Sequence, residues 1–134
     1  MAIKGIDVSY HNGTIDFEKV KKDGIKFAIL RIGYGMYDEQ KDTSFEYNYR
    51  ECVRVGIPVG VYLYSYAKTK NEAKREAETV LKWLDGRKLS LPVYYDLEDK
   101  SQQNLNKNIL EEMCKTFCET IENADYSAGI YTNK

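Results

Sequence analysis

An α/β fold built on a parallel sheet is predicted by three observations. Five short apolar segments alternate with four helix-like patterns along the 134 residues. Glycines stand where the helices should stop, and polar side chains gather where the apolar segments end. Strand, helix, strand at this spacing gives βαβ units with right-handed connections, and therefore parallel strands.

The elements follow in order. Ile3–Ser9 is the first strand candidate, and Asp16–Lys22 the first helix, with Gly24 at its C-terminal end. Lys26–Ile32 is the second strand. The helix Ser44–Val55 opens on Thr43-Ser44-Phe45-Glu46, the pattern of a capping box, and stops at Gly56. Ile57–Tyr66 is the third strand, and Lys70–Leu84 opens on a second such box, Thr69-Lys70-Asn71-Glu72, before Gly86. Leu91–Glu98, the helix Leu105–Asn123 and Tyr126–Thr132 complete the series. Neither a low-complexity linker nor an internal repeat interrupts it, so residues 1–134 read as a single domain.

Composition excludes several classes. Charged residues make up 31% and apolar ones 43%, an ordinary globular mixture. Net charge is −1 without any basic block, which argues against nucleic acid as a partner. No apolar run approaches the ~20 residues that span a bilayer. Nor does Met1-Ala2-Ile3-Lys4-Gly5 read as a signal peptide, since no apolar stretch follows Lys4. The chain reads as cytosolic, as a mature form, or as a protein released on lysis. Cys52, Cys114 and Cys118 are expected to be buried, reduced thiols, because the one histidine, His11, is remote in sequence and no zinc ligand set forms.

Ligands of such folds bind beyond the carboxyl ends of the strands. Asp7 and Ser9 end the first strand, Arg31 the second, Tyr64 and Tyr66 the third, Asp96 and Glu98 the fourth, Tyr131 the fifth. The stretch Pro92-Val93-Tyr94-Tyr95-Asp96-Leu97-Glu98-Asp99 is the most telling. By strand alternation Asp96 and Glu98 point the same way, with Cα atoms roughly 6–7 Å apart. Two carboxylates on one face shift each other's proton affinity. In the third strand Val59, Val61 and Leu63 share the face expected under the helices. Tyr62, Tyr64 and Tyr66 share the other, facing the cleft or serving only as strand formers. The chain has twelve Tyr against four Phe, and polar-tipped aromatic surfaces suit sugar rings.

Asp7, Asp96 and Glu98 in an aromatic cleft fit acid-assisted cleavage of a glycosidic bond, in which one carboxyl donates a proton and another stays ionised. Solvated rim charges or magnesium ligands also fit an Asp-x-Glu at a strand end. No Ser–His or Cys–His pair is apparent, and the turn Gly33-Tyr34-Gly35 lacks the pattern of a phosphate loop. No cofactor or metal is called for. His11 reads as a surface histidine or a substrate contact, Arg31 as a cleft residue or a carboxylate's partner, and Trp83 as core.

Five motifs occur in order: Gly5–Gly13 (GIDVSYHNG), Phe27–Gly35 (FAILRIGYG), Gly56–Ala67 (GIPVGVYLYSYA), Leu91–Asp99 (LPVYYDLED) and Ala128–Asn133 (AGIYTN). Together they resemble the lysozymes of glycoside hydrolase family twenty-five, the Chalaropsis-type muramidases. The resemblance implies an irregular, flattened (β/α) barrel that cleaves the β-1,4 bond between N-acetylmuramic acid and N-acetylglucosamine in peptidoglycan. It makes Glu98 the proton donor and Asp96 the carboxylate that orients the substrate's 2-acetamido group, which can itself be the nucleophile. It makes Asp7 the acidic residue of the first strand. Tyr62 and Tyr64 fall in the family's Gly-x-Tyr-His-Phe segment, here Gly60-Val61-Tyr62-Leu63-Tyr64; Leu63 replaces the usual His and Tyr64 the usual Phe. By alternation Leu63 faces away from the cleft, so that change touches packing.

Family members run well beyond this length, and about eight strands are needed to close such a barrel. An incomplete barrel of five parallel strands and four helices is therefore expected. Two function classes stay open: a muramidase or the larger part of one, and an inactive remnant that binds glycan or assembles with another chain. Unclosed sheet edges also lead to an expectation of self-association.

Overall fold

The computed structural model describes residues 3–132, so Asn133 at the end of the last motif, and Lys134, lie outside the described residues. Five strands alternate with four helices: β1 (Gly5–Val8), α1 (Phe17–Lys22), β2 (Phe27–Tyr34), α2 (Phe45–Val55), β3 (Val59–Tyr64), α3 (Lys70–Leu84), β4 (Val93–Asp96), α4 (Lys107–Glu122) and β5 (Ala128–Tyr131). The strands lie in the order β1-β2-β3-β4-β5, every neighbouring pair parallel. Among the described residues β1 pairs only with β2 and β5 only with β4, which leaves the barrel unclosed.

Alternation along the strands sorts side chains between two faces. One face carries Leu30, Ile32, Val61, Leu63, Val93 and Tyr95, all buried. Against it pack Phe45 and Cys52 of α2, the α3 stripe Ala73, Ala77, Val80 and Leu84, and Met113, Phe117 and Ile121 of α4. Spacings of three, four and seven residues bring each helical set to one side. Leu63 belongs to this core, as alternation anticipated. The opposite face is left to the functional groups.

Several local expectations need correction. The box at Thr43–Glu46 does not form. Ser44 makes no side-chain cap, and Asp42 Oδ1 instead accepts the Ser44 N–H at 2.8 Å, while Glu46 is drawn to Lys41 and Arg87. A fixed long-range partner displaces the local pattern there. At α3 the expected cap is present, with Thr69 Oγ1 accepting from Glu72 N at 3.1 Å, but the Glu72 carboxyl reaches Lys68 N rather than Thr69 N. Gly33 and Tyr34 are not a turn: they extend β2 past a register shift between Arg31 and Gly33. Gly33 is needed because a Cβ there would collide with the ring of Trp83, which is buried. Cys52 is buried, whereas Cys114 and Cys118 are only half-buried; all three are free.

Candidate active site

The face opposite the helices is ordered in rows across the sheet. Asp7 lies level with Ile29, and Arg31 with Tyr62 and Tyr94. Tyr34, Tyr64, Asp96 and Tyr131 form the last row, at the carboxyl ends of their strands. The rows enclose a pocket of about 260 Å³. Its acid groups are Asp7, Asp96 and Glu98; its aromatic walls are Tyr62, Tyr94 and Tyr131, with Ile29 beneath. Parallel pairing produces this convergence: residues distant in sequence but level in register share one patch.

β4 stops at Asp96, so Glu98 lies just beyond the strand rather than inside it, yet its carboxyl still joins Asp96 in the pocket. Burial, then the charge of Glu98 and a hydrogen bond with it, then the charge of Asp7, push Asp96 up to about 7. Asp96 Oδ1 is buried without a hydrogen-bond partner among the described residues, and the residue is 5% exposed. Glu98 is half-buried. Asp96 therefore holds its proton to a higher pH than an exposed carboxyl would. Burial pushes the Tyr62 phenol up to about 12, which leaves it a neutral donor at the pocket wall.

Other expected site residues stand further off. Tyr64 is level with Asp96 but does not line the pocket, and its hydroxyl donates to Asp99 Oδ1 at 3.0 Å. Tyr66 is exposed and packs against Tyr64 and Tyr34, with ring centroids 5.2 and 6.1 Å away. Arg31 takes the pairing alternative: its Nε donates to buried Asp42 Oδ2 at 2.9 Å, and its guanidinium lies over the rings of Tyr10 and Tyr34. It does not line the pocket. His11 is exposed in a short turn, beside the Tyr10 ring.

Sequence reading missed Tyr94 and Ile29. The signal for Tyr94 was present, since it sits two residues before Asp96 and so shares its face. Gly129 makes room for it: a Cβ there would stand 2.8 Å from the Tyr94 ring. Asp42 was also missed; it accepts from Arg31, from Tyr10 N at 3.1 Å and from Ser44 N, and so ties the loops after β1 and β2 together. Among the described residues no group of three or more His, Cys, Asp or Glu is placed to hold a metal ion.

A parallel sheet bearing a carboxylate pair and tyrosines at its carboxyl end defines an acid–base site suited to a neutral, hydroxyl-rich substrate. The family model for glycosyl hydrolases family 25 matches residues 6–134, and the chain belongs to that family. It is 24% identical over 130 residues to an autolytic lysozyme of Clostridium acetobutylicum, covering 97% of this chain and 38% of that protein. Among solved structures, the modular autolysin LytC of Streptococcus pneumoniae matches with TM-score 0.84 at 29% identity, over 96% of this chain and 32% of that one. LytC has also been solved with a synthetic peptidoglycan ligand. A family GH25 lysozyme from Aspergillus fumigatus matches with TM-score 0.81 at 26% identity, over 97% of this chain and 65% of that one. This chain thus spans about a third of the length of the clostridial lysozyme and of LytC.

Proposed function

We propose that this chain carries a muramidase site, which cleaves the β-1,4 bond between N-acetylmuramic acid and N-acetylglucosamine in bacterial peptidoglycan. The observation that carries the reading is the meeting of Asp7, Asp96 and Glu98 with Tyr62, Tyr94 and Tyr131 in one pocket. Family membership and the peptidoglycan-bound relative support it.

In this reading Glu98, the less buried of the pair, passes the proton held by Asp96 to the leaving oxygen. Asp96, left ionised, accepts from the N–H of the 2-acetamido group. The acetamido oxygen then attacks the anomeric carbon as the C–O bond breaks, its electron pair going to the newly protonated oxygen. Water opens the resulting ring, with Glu98 taking its proton. Asp7 supports the positive charge from the first strand, and the tyrosines stack on the sugars. The aromatic group formed by Tyr34, Tyr64 and Tyr66 extends this surface past the pocket, while Arg31 shapes its floor through Asp42. The place of action is the cell wall, reached by secretion or by release on lysis.

Turbidity loss of purified wall suspensions tests the assignment. Glu98→Gln keeps the shape and removes the donor, so the rate should fall about 10²–10⁴-fold. Retention of most of the activity would remove Glu98 from that role.

The unclosed sheet supports a second reading, in which the chain binds glycan without turnover and associates through β1 and β5. Ile130 and Tyr131 of β5 are exposed, which suits such pairing. Binding of wall fragments with no release of new reducing ends would favour it over the first.

A further inference from the structure

On the helix side of the sheet a carboxylate occupies a position where the α3 stripe calls for hydrocarbon. Glu76 is 1% exposed, three residues after Ala73 and four before Val80. Burying a carboxylate is costly unless donors meet it, and three do. Glu76 Oε1 accepts from Ser65 Oγ at 2.7 Å and from the Tyr95 hydroxyl at 2.6 Å. Its Oε2 accepts the Tyr66 backbone N–H at 2.9 Å.

Each of these donors adjoins the pocket without lining it. Tyr95 sits between Tyr94 and Asp96 in β4, its ring stacked on Phe117 at 3.9 Å. Ser65 follows Tyr64, and its backbone N–H donates to Asp96 O at 2.9 Å. Ser65 Oγ also accepts from Gln102 Nε2 at 3.0 Å, and that nitrogen donates to Ala67 O at 2.8 Å. Gln102 closes the turn that Asp99 opens, and Asp99 is held by Tyr64. The segment carrying Glu98 is therefore fixed at Asp96 on one side and at Asp99 and Gln102 on the other.

We propose that Glu76 is a positioning residue for the Asp96/Glu98 pair, acting through Tyr95, Ser65 and Gln102 from the far side of the sheet. The kinetic part of this inference rests on the muramidase reading; the structural part does not. Glutamine cannot substitute, because its amide places two hydrogens where the carboxylate presents a second acceptor to donors. The misfit moves the ends of β3 and β4, and misplacement by about 1 Å costs about 10²-fold in rate.

The experiment compares Glu76→Gln, Tyr95→Phe and, on the exposed side of α3, Glu78→Gln with the wild-type chain. The readouts are kcat and KM on soluble glycan chains, and the titration of the Asp96 carboxyl followed by carbon-13 NMR. For Glu76→Gln we expect kcat about 10-fold or more lower with KM within about two-fold, and a displaced Asp96 midpoint. Tyr95→Phe should do the same to a smaller degree, and Glu78→Gln should change neither. A kcat and an Asp96 midpoint in Glu76→Gln equal to those of Glu78→Gln would overturn the proposal. Should Glu76→Gln fail to fold, Tyr95→Phe, which keeps its ring on Phe117, decides by the same two readouts. A wild-type chain without turnover would count against the muramidase reading, and the Asp96 titration would still decide the positioning claim.

Discussion

A carboxyl moved by folding from an open chain into a confined pocket beside two others binds its proton more tightly, and Asp96 is in that position. The sign of the resulting pH dependence follows directly. Asp96 ordinarily titrates at 3.8 and is raised to about 7 in the folded chain. Between these values the folded state keeps a proton that the unfolded state releases, so stability falls as pH rises through that window. Asp96→Asn removes the titration at nearly constant shape. Relative to wild type, the variant should gain stability at pH 8 and little at pH 3.5, as read from urea midpoints. An equal difference at both pH values would show that the raised proton affinity is not there. The same substitution should lower kcat at similar KM, because its contact strengthens only as the bond breaks. Asp7→Asn should do less harm, since Asp7 stands on β1, three strands along the sheet from β4, and is itself exposed. Kinetics on a soluble muropeptide distinguish these cases: a pure KM effect for Asp96→Asn would contradict its role.

At the level of elements, local pattern and long-range contact compete. All nine regular elements were legible, because apolar periodicity and glycine stops are local signals; Lys70–Leu84 was found to the residue. The end of β4 was read too long, since Glu98 keeps the alternation beyond the strand, whereas β2 runs two residues past its expected end at Ile32. The polar contacts beneath the site were less legible. Glu76 sits in a charged stretch that looks solvated, and only its place in the Ala73–Val80 stripe hinted at burial. Asp42 offered no such hint, because its partners Arg31 and Tyr10 are brought to it by the sheet. Unfolding experiments can weigh the two kinds of signal. Thr69→Ala should cost about 1 kcal/mol through its lost cap. Ser44→Ala should stay within about 0.5 kcal/mol despite the box-like sequence, as its side chain caps nothing. Asp42→Ala should cost about 3–5 kcal/mol, since it strands the buried Arg31 guanidinium. A larger loss at Ser44 than at Asp42 would reverse this account.

Across the whole molecule, one face of the sheet is consumed by the core and the other is given to chemistry. The two edges remain unpaired among the described residues, and β5 presents Ile130 and Tyr131 to solvent. Unblunted parallel edges attract further strands, so light scattering should report a mass above that of the 15.6 kDa chain. A strict monomer at all concentrations would show that the edges are protected by other means. The central proposal, however, concerns the pocket: that the carboxylates at the carboxyl ends of β1 and β4 cleave a muramyl bond. The most direct measurement is identification of the sugar at each new reducing end after soluble peptidoglycan chains are incubated with wild type and with Glu98→Gln. The account predicts N-acetylmuramic acid at the new ends for wild type and a loss of about 10²-fold or more in their release by Glu98→Gln. New ends carrying N-acetylglucosamine, or release unaffected by Glu98→Gln, would contradict it.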